Sequence, residues 1–196
     1  MPTKIYRGLK PFCFARNVNL GIKAAGNDDV ILLNDDALLQ SERGFTRLAE
    51  AAQAHPEFGV MSATCNNVGN RNQWPIVGCG VVGGAVRGGL IESIREDPRM
   101  VCFIAVYIPR STIDRVGLLD EELTGYSYDD DLYCALVRKA GLKIGIYDGC
   151  FVDHSKLKPT FRSLPNVNAL MNHNRAVYMR KGGAGDPRAR LTTRQA

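Results

Sequence analysis

Three clusters of side chains in this chain have the chemistry to hold a cation and move a proton. The first is Asn34-Asp35-Asp36, which ends the apolar run Val30-Ile31-Leu32-Leu33. The second is Tyr128-Asp129-Asp130-Asp131-Leu132, and the third is Val152-Asp153-His154. Carboxylates are the oxygen donors of hard divalent ions, while an imidazole offers a nitrogen donor or, when charged, a partner for phosphate. An apolar run bounded by polar residues reads as a strand covered on both faces, and open α/β sheets bind ligands beyond the carboxyl ends of such strands. Plainer readings stand beside these. Asp35 and Asp36 could cap the following turn, His154 could be structural, and the three aspartates could complement the positive end of a helix. Such a helix end would keep the Asp129, Asp130 and Asp131 carboxylates ionised, which also suits a base.

The elements that must position these groups follow from periodicity. In residues 15–25, Val18, Ile22 and Ala25 share one face of a short helix closed by Gly26. After the buried strand 30–34, residues 41–55 carry Phe45, Leu48, Ala49 and Ala52 on one stripe, with Ser41 as the expected N-cap and Pro56 as the stop. A short strand is expected at 59–61 and another at 101–108, then a helix at 110–116 and a second at 130–140 ended by Gly141. Two further strands are expected at 143–147 and 151–153, and a helix at 167–181. Residues 66–99 dissolve into Asn and Gly and read as an ordered substrate-side loop or flap. Within them, Gly78-Cys79-Gly80-Val81-Val82-Gly83 matches a dinucleotide fingerprint letter for letter, but Gly84, Gly88 and Gly89 interrupt the helix that fingerprint needs. A glycine hinge or β-turn is the better reading.

Composition bounds the class. With 196 residues, 45% hydrophobic and 23% charged, the chain can bury a sizeable core, and disorder is not its default. Six cysteines lie scattered without a CxxC pair, several inside apolar runs, which favours a reducing, cytoplasmic setting. No stretch approaches the roughly 20 apolar residues of a membrane span. Most of the net charge of +5 sits in the last residues, where Arg180, Lys181, Arg188, Arg190 and Arg194 face only Asp186. That basic, glycine-rich end reads as a solvated tail, with attraction to an anionic membrane surface as the sharper alternative. Without interleaved aromatics, nucleic acid is not its expected partner.

Taken together, Phe14-Ala15-Arg16-Asn17-Val18-Asn19-Leu20-Gly21-Ile22, Val30 to Asp36, Ile108-Pro109-Arg110, Val116-Gly117-Leu118-Leu119-Asp120-Glu121, Tyr128 to Leu132 with Arg138-Lys139-Ala140-Gly141-Leu142-Lys143, and Val152-Asp153-His154 resemble family 2 glycosyltransferases of the GT-A fold, in the rhamnosyltransferase-like branch. The similarity covers residues 11–154. It implies an α/β, GT-A-like mixed sheet flanked by helices, a nucleotide-sugar donor, a divalent metal (Mn2+ or Mg2+) and inversion at the anomeric carbon. It also implies transfer to a hydroxyl of a glycan, lipid-linked or protein acceptor. By the same resemblance, the family's D-x-D element falls on Asn34-Asp35-Asp36, with Asp36 at the metal and Asn34 replacing the first acid. Asp129 takes the position of the general base, Tyr128 replaces the preceding glutamate, and His154 stands near metal and diphosphate. Asn34, Asp35 and Arg16 are placed beside the donor, although a solvated Arg16 is an equal reading.

Members of that family open with a strand, helix and strand that hold the nucleobase, whereas here only residues 1–10 precede the similarity. The expectation is an N-terminally shortened domain over 1–155, a C-terminal helical extension over 156–181 and a basic flexible tail over 182–196. A sheet lacking those strands exposes an edge beside the 30–34 strand, which predicts self-association into a homo-oligomer. A catalytically degenerate relative that binds nucleotide, glycan or a protein partner without turnover is the alternative function.

Overall fold

A computed structural model describes residues 8–76, 91–155 and 166–182, together with the backbone of 80–82 and 85–87. Its strands are β1 (Val30–Leu33), β2 (Leu38–Leu39), β3 (Phe58–Cys65), β4 (Gly80–Val82), β5 (Ala85–Arg87), β6 (Ile94–Glu96), β7 (Ala105–Ile108) and β8 (Lys143–Asp153). Its helices are α1 (Phe14–Ala25), α2 (Gly44–Ala54), α3 (Arg110–Val116), α4 (Asp129–Lys139) and α5 (Val167–Lys181), with a 3-10 turn at Arg71–Gln73. The architecture is a curled mixed α/β sheet flanked by helices. Its strand order is β1-β7-β3-β8-β2, with β6 beside the first half of β8 and β2 beside its end. β3 and β8 run parallel, while β7 is antiparallel to both β1 and β3.

Alternation along β7 shows why both faces need helices. Val106 and Ile108 join the core under α1, α3 and α4, while Ala105 and Tyr107 join the core under α2. On β3, Val60 faces the first layer and Met61 and Ala63 the second. α4 approaches β3 so closely that a Cβ built on Gly59 would lie 2.7 Å from Val137 and 2.9 Å from Leu142. Gly26, at φ +66°, closes α1 in the left-handed region that favours glycine.

Several expectations change on this frame. β1 is not covered on both faces: Val30 and Leu32 pack inward, but Ile31 is 36% and Leu33 45% exposed. An apolar run cannot report how far the helix on the second face reaches, and β1 lies at the end of the sheet with β7 as its neighbour among the described residues. Ser41 does not cap α2. Its Oγ accepts the Phe151 N–H at 3.1 Å, and Arg43 takes the N-cap position in a left-handed conformation. The two expected strands at 143–147 and 151–153 are one, β8, carried through an irregularity where β3 pairing jumps from Ala63↔Tyr147 to Thr64↔Phe151. β3 extends well beyond 59–61, whereas β7 occupies only the end of 101–108.

The discounted glycine fingerprint opens no helix where it is described: Gly80–Val82 is β4, hairpin partner of β5. Residues 77–79, 83, 84 and 88–90 lie outside the described residues, as do 156–165 of the expected extension and 183–196 of the expected tail. The described part of the extension is α5, whose Val177 and Tyr178 pack on Leu123, Tyr128, Leu132 and Ala135. The described cysteines are all free thiols, and burial pushes those of Cys65 (to about 12), Cys102 and Cys134 up, so they stay protonated at neutral pH. Among the described residues no helix is long and apolar enough to cross a membrane.

Candidate functional site

β1 ends in a tight turn. The Asn34 N–H donates to the Ile104 carbonyl at 2.8 Å, the Ala37 N–H donates back to the Asn34 carbonyl at 3.1 Å, and buried Ala37 anchors the exit. The turn leaves Asp35 exposed and sends Asp36 inward. There the Asp36 Oδ1 lies 3.1 Å from the His154 Nε2, both side chains being about nine-tenths buried. Two residues 118 apart in sequence thus meet at the rim where β1, β3 and β8 end.

An asparagine pair holds this histidine. The Asn66 Oδ1 accepts the His154 N–H at 2.6 Å while its Nδ2 donates to the Asp153 Oδ1 at 2.7 Å. The Asn67 Nδ2 reaches the His154 carbonyl at 3.3 Å, and the Asn67 carbonyl lies 3.4 Å from the ring Nδ1. The Asn67 carbonyl and the Asp36 carboxylate both only accept, and the nearer of the two, Asp36 at 3.1 Å, is the better partner for a ring N–H on Nε2. A cation between the two groups would take the Nε2 lone pair and place the ring hydrogen on Nδ1, facing the Asn67 carbonyl. Asp153, buried beside them, is committed to Asn66 and to the Ser155 N–H and hydroxyl.

Asp129 opens α4 and is 4% exposed. Its carboxylate accepts the Ser127 N–H at 2.9 Å and also the backbone N–H groups of Asp129 itself and of Ala15. Because Cys13 gives α1 no side-chain cap, Asp129 caps that helix from across the fold, and two helix starts meet at one carboxyl group. The helix start does not by itself hold this acid at its ordinary value. Burial, reinforced by the neighbouring Asp130 charge, outweighs the three N–H donors and pushes the carboxyl up to about 7.

The loop before α4 is unusual in its backbone: Gly125, Ser127 and Tyr128 have φ of +64°, +118° and +65°. For two non-glycine residues this is costly, and tertiary contacts hold them there. Fully buried Asn174 on α5 accepts the Thr124 N–H at 2.9 Å and donates to the Thr124 and Ser127 carbonyls, each at 2.9 Å. Asn66, Asn67 and Asn174 are the positioning residues that sequence reasoning missed. The density of asparagine in residues 66–72 is the available signal for the first two, and nothing in the helical pattern around Asn174 marks it.

Residues 101–104 run between the Asp36–His154 rim and α4, while the Asp129 carboxylate accepts from backbone N–H groups of the α1 and α4 starts. Asn34 bonds Ile104, the Cys134 thiol on α4 lies 3.9 Å from the Val101 carbonyl, and the Asp130 and Asp131 charges act on the Cys102 thiol. Arg16 is not aimed at this rim: its guanidinium donates to the Pro11 carbonyl, and its Nε is buried without a hydrogen-bond partner. A shallow cavity of ≈ 350 Å³ lies at the other end of α1, lined by Ile22, Lys23, Arg110, Ile113 and Leu118. The length of α1, about 18 Å for 12 residues, separates it from Asp129.

Among the described residues no group of three or more His, Cys, Asp or Glu side chains is placed to hold a metal ion. Asp36 and His154 are therefore two donors, one oxygen and one nitrogen. No protein family model matches the chain, and no curated protein matches it.

Proposed function

We propose that this chain is a metal-dependent, inverting glycosyltransferase domain of GT-A-like fold, moving a sugar from a nucleotide donor to a hydroxyl of an acceptor. The observation that carries the reading is the Asp36–His154 pair, whose 3.1 Å approach, with the Asn67 carbonyl beside the other ring nitrogen, leaves an arrangement suited to a cation. Magnesium and manganese commonly take one or two protein ligands and complete their shell with substrate phosphates, so two donors fit. The mixed oxygen and nitrogen set favours manganese over magnesium. An ion held there would neutralise charge on the departing diphosphate. Asp35 and Asn34, on the same turn, are the side chains nearest that diphosphate in sequence, and Arg16 has no part in the reading.

Asp129 supplies the base. A carboxyl near 7 is far more basic than an ordinary aspartate yet still partly ionised at neutral pH. Its carboxylate takes the proton of the acceptor hydroxyl while that oxygen bonds to the anomeric carbon. The bond from that carbon to the diphosphate oxygen breaks on the opposite face, which inverts the configuration. Keeping water from the group is the work of Tyr128 and Leu132, both buried against α5.

One observation favours a second reading. Asp129 is almost wholly buried and spends its oxygens on three backbone N–H groups, as a purely structural cap would. On that reading the domain binds nucleotide or glycan without turnover.

Thermal shift with a panel of nucleoside diphosphates, with manganese and with chelator, tests the site. At a hundred times the dissociation constant, one nucleotide should stabilise the fold by about 3 kcal/mol, roughly 6–10 °C for a chain of this size. Asp36→Ala should erase that shift. Failure of every nucleotide under all conditions would overturn the transferase reading, and nucleotide binding without sugar transfer would leave the second.

A further inference from the structure

The chain has one tryptophan, Trp74, and it is 50% exposed. Exposure of so large an apolar ring is uncommon, yet this ring is rigidly held. Its indole N–H donates to the Val68 carbonyl at 3.3 Å. Its own carbonyl accepts from Arg95, whose guanidinium is forked onto buried Asp148 at 2.7–3.1 Å. The preceding residue, Gln73, is fully buried and bonded at both ends of its amide, to the Ser62 hydroxyl and Cys102 carbonyl and from the Cys102 N–H. Asn70 and Asn72 are fastened to Asp97 in the same way.

The place of this ring matters as much as its rigidity. Trp74 holds the Val68 carbonyl, and His154 lies against the adjoining Asn67 carbonyl. Neighbouring residues are 3.8 Å apart at Cα, so the two rings lie on the order of 10 Å from each other. That is about the reach of one hexose attached to a group held at Asp36 and His154.

We propose that the exposed face of Trp74 is a stacking platform for a pyranose ring. The axial C–H groups on one face of a hexose carry partial positive charge and meet the negative face of the indole, as cations do. The asparagines of residues 66–72 are spent within the fold, so they hold the ring in place rather than bind the sugar's polar rim. The inference rests on the glycosyltransferase reading for the identity of the ligand, but its geometry stands on Trp74 alone.

Because this is the chain's one tryptophan, its fluorescence reports this surface directly. The protein is titrated with a panel of methyl pyranosides, with nucleoside diphosphates, and with UDP-, dTDP- and GDP-hexoses, each with and without manganese. A saturable spectral shift and protection from acrylamide quenching by a methyl pyranoside supports the platform as an acceptor subsite. The same response from an intact nucleotide-sugar alone supports it as a donor-sugar subsite. A response to nucleoside diphosphates equal to that of the nucleotide-sugars, with none to pyranosides, overturns the proposal in favour of base stacking. No response to any sugar also overturns it. Calorimetry on Trp74→Leu should show sugar affinity reduced about tenfold, as expected for loss of one aromatic contact, with the manganese-dependent nucleotide shift unchanged. Loss of the nucleotide shift in the wild type with the sugar response intact would sink the transfer reading and leave the platform.

Discussion

Replacing Asp129 by Asn should change how stability depends on pH, and the size of the change follows from where the carboxyl sits. In the unfolded chain it titrates near 3.8, while in the fold burial and Asp130 raise it to about 7. Between those values the folded protein keeps a proton that the unfolded chain has released. Asp129 therefore favours the fold most at acid pH, and its contribution falls as pH rises through this window and levels off above it. Three pH decades at about 1.4 kcal/mol each set a ceiling of roughly 4 kcal/mol. The isosteric Asp129→Asn variant does not titrate there, so its stability minus that of the wild type should grow by up to that amount between about pH 4 and pH 8. Urea unfolding of both proteins across the range measures it. With a slope of about 2 kcal/mol/M, the gap between midpoints should move by up to about 2 M. Differences flat to within about 1 kcal/mol across the range would show that Asp129 is an ordinary acid and remove the physical basis for its role as base. In the same variant turnover should fall roughly 10²–10⁴-fold, and wild-type activity should rise with pH along a limb near neutrality.

Two further outcomes follow from the side chains that hold the site. Asn66→Ala removes both the acceptor for the His154 N–H and the donor to Asp153. Manganese-dependent nucleotide affinity should fall about 10–100-fold in titrations, with a stability loss of about 1–3 kcal/mol. Asn174→Leu leaves three backbone groups of the loop before α4 without partners inside the fold. Chemical unfolding should register a loss of about 2–4 kcal/mol, and turnover should drop more than nucleotide binding because the loop positions Asp129 rather than the Asp36–His154 pair.

Legible in the sequence are the elements whose stop signals are local. The helix expected at 15–25 from its apolar spacing is α1, the helices expected at 110–116 and 167–181 are α3 and α5, and Gly26 and Gly141 end α1 and α4 in left-handed conformations. The meeting of Asp36 with His154 is anticipated by the order of the motifs rather than by anything local. Illegible are the properties set by distant neighbours. The exposure of Ile31 and Leu33 depends on the place of β1 at the end of the sheet, the role of Ser41 on the passage of Phe151, and the protonation of Asp129 on its burial by the fold. Its place in a motif draws Arg16 to the donor, but its partner, the Pro11 carbonyl, lies a few residues upstream. None of these partners lies where periodicity can report it.

Gly59 packs under the end of α4 far from the Asp129 carboxyl and yet bears on it. α4 rests on bare peptide there, with Val137 and Leu142 closer than any added carbon would tolerate. A single methyl at that point works as a wedge under one end of a rigid rod, whose opposite end, about 12 Å away, carries Asp129. The helix would pivot rather than break, and the carboxyl group would swing relative to both the amides of α1 and the Asp36–His154 pair. Such a change would leave the Asp36–His154 contact in place while loosening the one carboxyl group on which two helix starts meet.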